Sequence, residues 1–346
     1  MARVKSVEPA DGAHRATPHL LARVEDALHA FRERWGRRRG RVATPIPFTG
    51  YGGAGWVRVL ARVLLVRADA PRAGRFTNIR GWRSFVSVPV RDIEVTITAG
   101  SRRHVVRADR GGVLDVRVEA ELEPGWRQVQ ISVEGREPVT VPVFIVAADI
   151  RFGIVSDIDD TVMVTALPRP LLAAWNTFVL DEHARRPVTG MAVLYERLVN
   201  AHPGAPVVYL STGAWNVVPA LTRFLSRNLY PSGPLLLTDW GPTHDRWFRS
   251  GPQHKAESLQ RLAAEFPGVR WLLIGDDGQH DEKLYGDFSR AHSANVAGVA
   301  IRQLTAGEAV LAGGRAPAEA HTPEVPWMHA PDGAGLAEQL VANGLL

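Results

Sequence analysis

The chain has 346 residues, a formal net charge of +5 and an apolar fraction of 45%, which is ordinary for a globular protein of about two domains. It contains no cysteine, and this excludes disulfides, thiolate metal sites and a cysteine nucleophile. Neither an apolar run of transmembrane length nor a secretory leader pattern is present, so a cytoplasmic protein is expected.

Residues 1–42 carry ten basic and five acidic residues, and this difference equals the net charge of the whole chain. Apolar residues recur at three- and four-residue steps from Leu20 to Trp35, and the basic cluster Arg37–Arg39 follows. The pattern predicts a basic amphipathic helix and an arginine-rich turn. One interpretation is peripheral contact with the anionic inner face of a membrane; the other is a helix packed on the body with solvated arginines. One isolated basic cluster does not indicate nucleic-acid binding.

Residues 43–148 alternate between apolar and polar side chains. The alternation is clearest over residues 57–65, 86–97 and 129–145, and Gly, Asp and Pro separate these stretches. A period of two is typical of strands with one buried face. This region therefore predicts an antiparallel β-sandwich-like domain, with a barrel as the alternative.

Residues 149–305 have a different pattern, in which short apolar runs alternate with helical segments. Strand–helix repetition predicts an α/β domain with a parallel sheet flanked by helices on both faces. Ligands of such sheets bind outside the carboxyl ends of the strands. Residues 306–346 are rich in Ala, Gly and Pro, and we expect an irregular tail with a short helix near residues 335–343.

Polar side chains occur where predicted strands end or helices begin. Asp157 and Asp159 follow the first strand of the α/β region, Ser211 follows the second, and Lys255 opens a helix after Gly251-Pro252. The strand over residues 271–274 is followed by Asp276, Asp277 and Asp281. Parallel strands bring these positions to one edge of the sheet, so the sequence predicts one site there.

This set of residue types suits phosphoryl transfer. Asp157 is an ionised nucleophile that can form an aspartyl-phosphate, and Asp159 is placed to donate and accept protons. Ser211 and Lys255 would hold the phosphoryl oxygens, with Thr212 and Gly213 of the same loop contacting substrate. Clustered carboxylates call for a hard cation such as Mg²⁺. The predicted metal ligands are Asp157, Asp159, Asp276 and Asp281.

The order and spacing of Asp157, Ser211, Lys255 and Asp276 resemble the four-motif signature of the haloacid dehalogenase superfamily, over about residues 150–305. The resemblance implies a Rossmann-like parallel sheet.

A narrower resemblance rests on residues 156–162, 210–216, 254–255 and 274–285, which are similar to the actin-patch phosphatidate phosphatase family. Gly50-Tyr51-Gly52 also resembles the region upstream of that catalytic domain. The family implies Mg²⁺-dependent hydrolysis of phosphatidate or a related phosphorylated lipid. Asp277 departs from the expected small hydroxyl residue, which leaves open which of Asp276, Asp277 and Asp281 reaches the metal directly. We favour Asp276, with Asp281 acting behind the direct ligands or through a water.

Alternatives remain open at this point. The same chemistry on a soluble phosphate monoester or a phosphoprotein fits the motifs, and a non-catalytic binding or scaffold protein is a third hypothesis. The apolar segment 166–191 would line the mouth of an open site or pack on the sheet. The residue types of Gly50–Gly55 match a dinucleotide-binding fingerprint. Cofactor binding is not expected there, because a β pattern and not a helix follows the motif.

Overall fold

A computed structural model describes residues 20–68, 88–164, 186–238, 251–278, 280–312, 314–315 and 324–346. The chain folds as a mixed α/β structure with two large sheets, one of which is curled and mainly antiparallel and the other parallel. None of the helices in these ranges combines the length and apolar character that crossing a membrane requires.

The curled sheet lies in the first half of the chain. Its described strands run in the order β3-β2-β1-β8-β7-β4-β5, with β6 paired to β2, and each pairing is antiparallel except that between β1 and β8. Alternate Val, Ile and Leu side chains of these strands form a separate apolar core. The strands are β1 (Arg41–Gly53), β2 (Trp56–Arg67), β3 (Val88–Pro89), β4 (Glu94–Ala99), β5 (Arg102–Arg107), β6 (Val113–Glu119), β7 (Gly125–Val133) and β8 (Val139–Ile145).

This part of the chain forms one hydrogen-bonded sheet that curls around its core, where the sequence left a sandwich and a barrel open. Period-two alternation shows which face of a strand is buried, and both architectures bury one face of each strand. Continuous pairing from β3 to β5 distinguishes them here, and it is a property of the turns and not of the alternation.

Helix α1 (Leu20–Arg38) precedes this sheet, as the apolar spacing predicts. It lies against β1, β2 and β3. Phe31 and Trp35 keep 60% and 45% of their surface exposed, and the Arg39 guanidinium covers the Trp35 ring at 3.5 Å from its centroid. The helix therefore packs on the body and still presents aromatic and basic side chains to solvent.

The second half of the chain forms the parallel sheet. Its order is β13-β12-β9-β14-β15-β16, and two short strands, β10 and β11, pair separately. The strands are β9 (Phe152–Asp157), β10 (Met163–Val164), β11 (Arg186–Pro187), β12 (Val207–Ala214), β13 (Leu235–Thr238), β14 (Arg270–Asp276), β15 (Val296–Arg302) and β16 (Trp327–Ala330). The helices are α2 (Met191–Ala201), α3 (Val218–Arg227), α4 (Gly251–Glu265), α5 (Asp281–Ala291), α6 (Ala306–Leu311) and α7 (Gly333–Ala342).

The strand order places a crevice at the centre of the sheet. Counted along the chain, the six parallel strands run third, second, first, fourth, fifth, sixth, which is the doubly wound order. The order reverses between β9 and β14, and ligands of such sheets bind outside the carboxyl ends at that point. The assignment to the haloacid dehalogenase superfamily stays a prediction.

The tail after residue 306 is more regular than its composition predicts. Helix α7 covers the expected helical stretch, but β16 was not foreseen and extends the parallel sheet beside β15. Met328 and Ala330 are buried in this strand. Four residues are too few for a period to be recognised among neighbouring Pro and Ala, so pairing with β15 decides the structure.

The two halves share a core. Phe48 and Tyr51 of β1 and Trp56 and Leu60 of β2 belong to the same apolar cluster as the side chains of the parallel sheet. Direct packing therefore joins the curled sheet to the α/β half.

Candidate active site

Asp157 and Asp276 end the two strands that flank the reversal of strand order. Asp157 is the last residue of β9 and Asp276 the last of β14, and both are buried. The apolar residues before them hold the strands in the middle of the sheet, where both faces are covered. The backbone therefore brings these two carboxylates to the same edge of the sheet, as the sequence predicts.

Three carboxylates and one ammonium form a buried cluster. Oxygens of Asp157, Asp276 and Asp281 all lie within 4.8 Å of one another. The Lys255 Nζ is 2.6 Å from Asp157 Oδ1 and 2.7 Å from Asp281 Oδ1. When ionised, these four side chains carry two excess negative charges away from solvent, which is the condition that a divalent cation relieves.

Burial dominates the protonation of this cluster. Loss of solvent raises the pKa of Asp157 well above its ordinary value, although Lys255 opposes the rise. Burial also raises the pKa of Asp276 to about 8, and Asp281 adds to the rise by charge repulsion. For Lys255, burial lowers the pKa, but the neighbouring carboxylates of Asp157 and Asp281 outweigh it and keep the ammonium charged.

The donor set suits a hard cation. Carboxylate oxygens are the ligands that Mg²⁺ and Ca²⁺ prefer. Asp281 Oδ2 is buried and has no hydrogen-bond partner within the described ranges, so it remains available as a ligand. Asp276 Oδ1 accepts a hydrogen bond from the Gly278 amide at 2.7 Å, which fixes that side chain. Asp157, Asp276 and Asp281 therefore fit a divalent cation.

Asp159 lies outside this carboxylate cluster. Its Oδ2 accepts a hydrogen bond from the Ser211 hydroxyl at 3.2 Å, and the residue is partly exposed. Ser211 Oγ in turn accepts from the Gly213 amide at 3.0 Å. The Asp159 side chain thus points toward Ser211 at the end of β12. The geometry does not support its predicted role as a metal ligand through that side chain.

Ser211, Thr212 and Gly213 lie at the end of β12, where its pairing with β13 is irregular between Leu210 and Ala214, and we call these three residues the Ser211 loop. Thr238 of β13 holds this loop in place. The Thr238 hydroxyl lies 2.8 Å from the Thr212 carbonyl and 3.1 Å from that of Gly213. Ser211 is fully buried, whereas Thr212 is half-buried and accessible. The loop is therefore fixed while part of it faces the site.

The turn after Asp157 contains residues whose importance the sequence did not reveal. Asp160 adopts a left-handed backbone with φ of 57°, which is uncommon for a residue other than glycine. Arg302 of β15 stabilises it by donating from Nη1 to the Asp160 carbonyl at 2.7 Å, and its Nη2 pairs with Glu308 at 2.7 Å. Arg302 is distant in sequence and its pattern resembles any strand-end arginine, so no sequence signal marked it.

Asp277 is turned away from the cluster. Its Oδ1 accepts from the Leu304 amide at 2.8 Å, and its Oδ2 is 2.9 Å from the Arg315 Nε. Both oxygens thus stabilise the segment after β15. Of the three acidic residues that the sequence left open, Asp276 and Asp281 lie in the cluster and Asp277 does not.

A cavity of about 420 Å³ opens where β5 and β6 approach β13 and α4. Its walls include Trp215, which follows the Ser211 loop, and His254, which precedes Lys255. Val116, Leu236 and Arg261 also line it, so apolar and charged side chains are mixed. Of the segment 166–191 predicted to line the site mouth, residues 166–185 lie outside the described part of the chain.

Residues 152–303 match the family model for the catalytic domain of phosphatidate phosphatase APP1. The phosphatidate phosphatase APP1 of Saccharomyces cerevisiae is 24% identical over 185 residues, which are 51% of this chain and 31% of that protein. An uncharacterized protein of Schizosaccharomyces pombe is 23% identical over 153 residues, which are 44% of this chain and 25% of that protein. The alignments thus span less than a third of these two relatives.

Among solved structures, an uncharacterized protein from Listeria monocytogenes serotype 4b is similar with a TM-score of 0.36 and 13% identity, over 57% of this chain and 100% of that one. A similarity at this level carries no argument about fold or function. The resemblance to the actin-patch phosphatidate phosphatase family, by contrast, is confirmed by the match over residues 152–303.

Proposed function

Because residues 152–303 belong to the catalytic-domain family of phosphatidate phosphatase APP1, we propose that this protein hydrolyses phosphatidate, or a related phosphorylated lipid, to the alcohol and inorganic phosphate. The observation that carries the proposal is the buried cluster of Asp157, Lys255, Asp276 and Asp281 at the carboxyl edge of the parallel sheet. The proposed nucleophile Asp157, the ammonium group of Lys255 and the proposed metal ligands lie together there.

In this proposal Asp157 attacks the phosphate ester. One carboxylate oxygen forms a bond to phosphorus while the bond from phosphorus to the ester oxygen breaks, which gives an aspartyl-phosphate and an alkoxide. The Lys255 ammonium, at 2.6 Å, orients the carboxylate and offers positive charge to the transferred group. Ser211, with Thr212 and Gly213, contacts the phosphoryl oxygens.

Asp159 handles the proton in both halves of the reaction. It donates a proton to the departing alkoxide and then takes one from the water that attacks phosphorus, which cleaves the acyl phosphate and regenerates Asp157. Its partial exposure and its hydrogen bond from Ser211 support this role, because they place its carboxylate beside the phosphate-binding loop.

We propose Mg²⁺ as the cation, held by Asp157, Asp276 and Asp281. Its chemistry, when bound, is to neutralise the excess negative charge of the cluster and of the phosphate. The residues around the cation site position its ligands. Asp276 is fixed by the Gly278 amide, and Lys255 bridges Asp157 and Asp281.

A phosphorylated lipid is favoured over a soluble ester by one feature besides the family match. Helix α1 presents exposed Phe31 and Trp35 next to Arg37–Arg39, which suits peripheral contact with an anionic membrane. Replacing the three arginines with alanine should weaken flotation with phosphatidate-containing liposomes at low salt and spare turnover of a soluble ester; unchanged flotation would refute the membrane contact.

The test of the activity is phosphate release from a panel of phosphatidate vesicles, lysophosphatidate, sugar phosphates and phosphopeptides, with Mg²⁺ or with EDTA. We expect Mg²⁺-dependent release from the lipids and its loss in Asp157→Asn. Release only from sugar phosphates or phosphopeptides would refute the lipid substrate and keep the chemistry. No release from any ester by the wild-type protein would leave a binding or scaffold role.

A further inference from the structure

Strand β1 of the curled sheet touches the catalytic half at two points, three residues apart. The Phe48 ring stacks on Trp215 with centroids 5.0 Å apart and an interplanar angle of 12°. The Tyr51 hydroxyl donates to Glu265 Oε2 at 2.8 Å. Phe48, Tyr51 and Trp215 are all buried, so these contacts are shielded from solvent.

Glu265, at the end of α4, also forms an ion pair with an arginine of the curled sheet. Arg58 of β2 donates from Nε at 3.1 Å and from Nη2 at 2.6 Å to Glu265 Oε1. The same guanidinium reaches Asp115 at 2.6 Å, and Asp115 accepts from Arg261 of α4 at 2.8 Å. Both carboxylate oxygens of Glu265 are thus held, Oε1 by two donors of Arg58 and Oε2 by the Tyr51 hydroxyl, which fixes the direction of the side chain as well as its distance. The last two turns of α4 are therefore clamped to β1, β2 and β6.

Each contact point lies on an element that also leads to a residue of the proposed active site. Lys255 lies on α4 itself, ten residues before Glu265, which is about 15 Å along a rigid helix. Trp215 directly follows β12, which carries Ser211, and it begins the short helical turn that leads into α3. A shift of β1 would thus be transmitted to the helix that carries Lys255 and to the loop that carries Ser211.

The glycines of Gly50-Tyr51-Gly52 explain how β1 reaches so far. Between the pairs Phe48–Leu60 and Tyr51–Arg58, β1 has two residues opposite one of β2, which is a β-bulge. A Cβ on Gly50 would lie 2.4 Å from the Arg58 carbonyl oxygen, and one on Gly52 would lie 2.5 Å from that of Trp56. Only glycine permits this close approach of the backbones, and the bulge sets the direction of Tyr51.

We propose that Tyr51 and Phe48 are positioning residues, through which the curled sheet holds Lys255 and the Ser211 loop in their working geometry. The catalytic part of this inference rests on the function proposed above. The curled sheet is then a component of the active site's support and not a separate module tethered to it.

The test compares Tyr51→Phe and Phe48→Leu with Tyr209→Phe in the full-length chain. Tyr209→Phe is a matched control, since it also removes one hydroxyl that donates at 2.8 Å, in this case to the Pro231 carbonyl. Hydrogen exchange measured by mass spectrometry is the first readout and is independent of activity. We expect faster exchange in α4 for Tyr51→Phe and in residues 211–217 for Phe48→Leu, and no change there for the control beyond that of its overall stability.

Steady-state kinetics with a soluble aryl phosphate and Mg²⁺ is the second readout. A loss of position with retained binding predicts a fall of about five- to tenfold in kcat with KM changed less than twofold. Phe48→Tyr, which keeps a stackable ring, should restore kcat. In a Lys255→Arg background, Tyr51→Phe should cause no further loss, because its effect passes through Lys255.

The outcomes separate this inference from the proposed function. If exchange in α4 and in residues 211–217 matches the control in both variants, the positioning role is refuted, whatever the activity. If exchange rises but the wild-type protein releases no phosphate from any ester, the clamp stands and the proposed function fails. An unchanged kcat in an active enzyme would also overturn the positioning role.

Discussion

Replacing Lys255 with methionine removes the ammonium that bridges two of three clustered carboxylates. The side chain is buried and lies 2.6 Å from Asp157 and 2.7 Å from Asp281, and methionine fills a similar volume without charge. Breaking a buried ion pair by removing one partner costs about 3–5 kcal/mol, because the remaining charge stays out of water. For a chain of this size we expect the melting temperature to fall by roughly 10 °C.

This loss should depend on cations and on pH in a defined direction. Burial raises the pKa of Asp157 and brings that of Asp276 to about 8, so the folded state binds protons that the unfolded state, with ordinary carboxyl pKa values, has lost at neutral pH. Stability without a divalent cation should therefore fall as the pH rises from about 4, the ordinary carboxyl pKa, through about 8, the folded pKa of Asp276, and in Lys255→Met the fall should extend to higher pH. Millimolar Mg²⁺ should recover part of the loss.

The assay is thermal unfolding in EDTA and in Mg²⁺ at several pH values, with Lys283→Met as the control. Lys283 makes a solvent-exposed pair with Asp287 at 3.1 Å, and such pairs contribute about 0–1 kcal/mol. A Lys255→Met variant that melts within a degree or two of the control in EDTA at pH 8 would refute the charge argument.

Gly275→Ala should cost about 1–3 kcal/mol in urea unfolding and weaken Mg²⁺ binding, because the new Cβ would lie 2.7 Å from Asp281 Oδ2. The control is Gly307→Ala, where the new Cβ would have open space around it. Asp276→Asn should lower Mg²⁺ affinity at least tenfold in calorimetry, whereas Asp277→Asn should change it less than twofold, and the reverse result would contradict the assignment of the cluster. Asp115 lies on the exposed face of β6, and the partial loss of solvent at its carboxyl is outweighed by the guanidinium groups of Arg261 and Arg58, which lower its pKa. Its stabilising effect is therefore complete above a pH of about 4 and is lost as the pH falls through the lowered pKa, so Asp115→Asn should flatten urea midpoints measured between about pH 2 and 5.

The carboxyl edge of the parallel sheet was predictable because local pattern and topology agree there. Buried apolar runs marked β9, β12 and β14, and parallel strands must present their carboxyl ends on one side. Asp157, Ser211 and Asp276 could thus be placed together from spacing alone. Their chemical roles stay predictions, since geometry limits what a side chain can reach and does not show that it reacts.

Side chains on helices were harder to place than those on strand ends. Whether Asp281 or Asp277 meets Lys255 depends on the rotation of α5 and on the direction of the loop after β14, and neither has a signal in the sequence. The strand order of the curled sheet was beyond prediction for a related reason. Alternation reports burial, whereas strand order and the β-bulge of β1 depend on contacts between residues far apart in the chain.

The folding unit around the site is larger than the region that the family match covers. Residues 152–303 exclude β16 and α7, yet Met328 and Leu336 are fully buried against the parallel sheet. On the other side, Tyr51 and Trp56 pack with Phe266 in one aromatic cluster. Removing either flank would expose large apolar surface in the α/β core, at about 25 cal/mol for each Å². The physical unit that supports the cluster of Asp157 and Lys255 thus includes both flanks, and activity measured on residues 152–303 alone would underestimate what this chain can do.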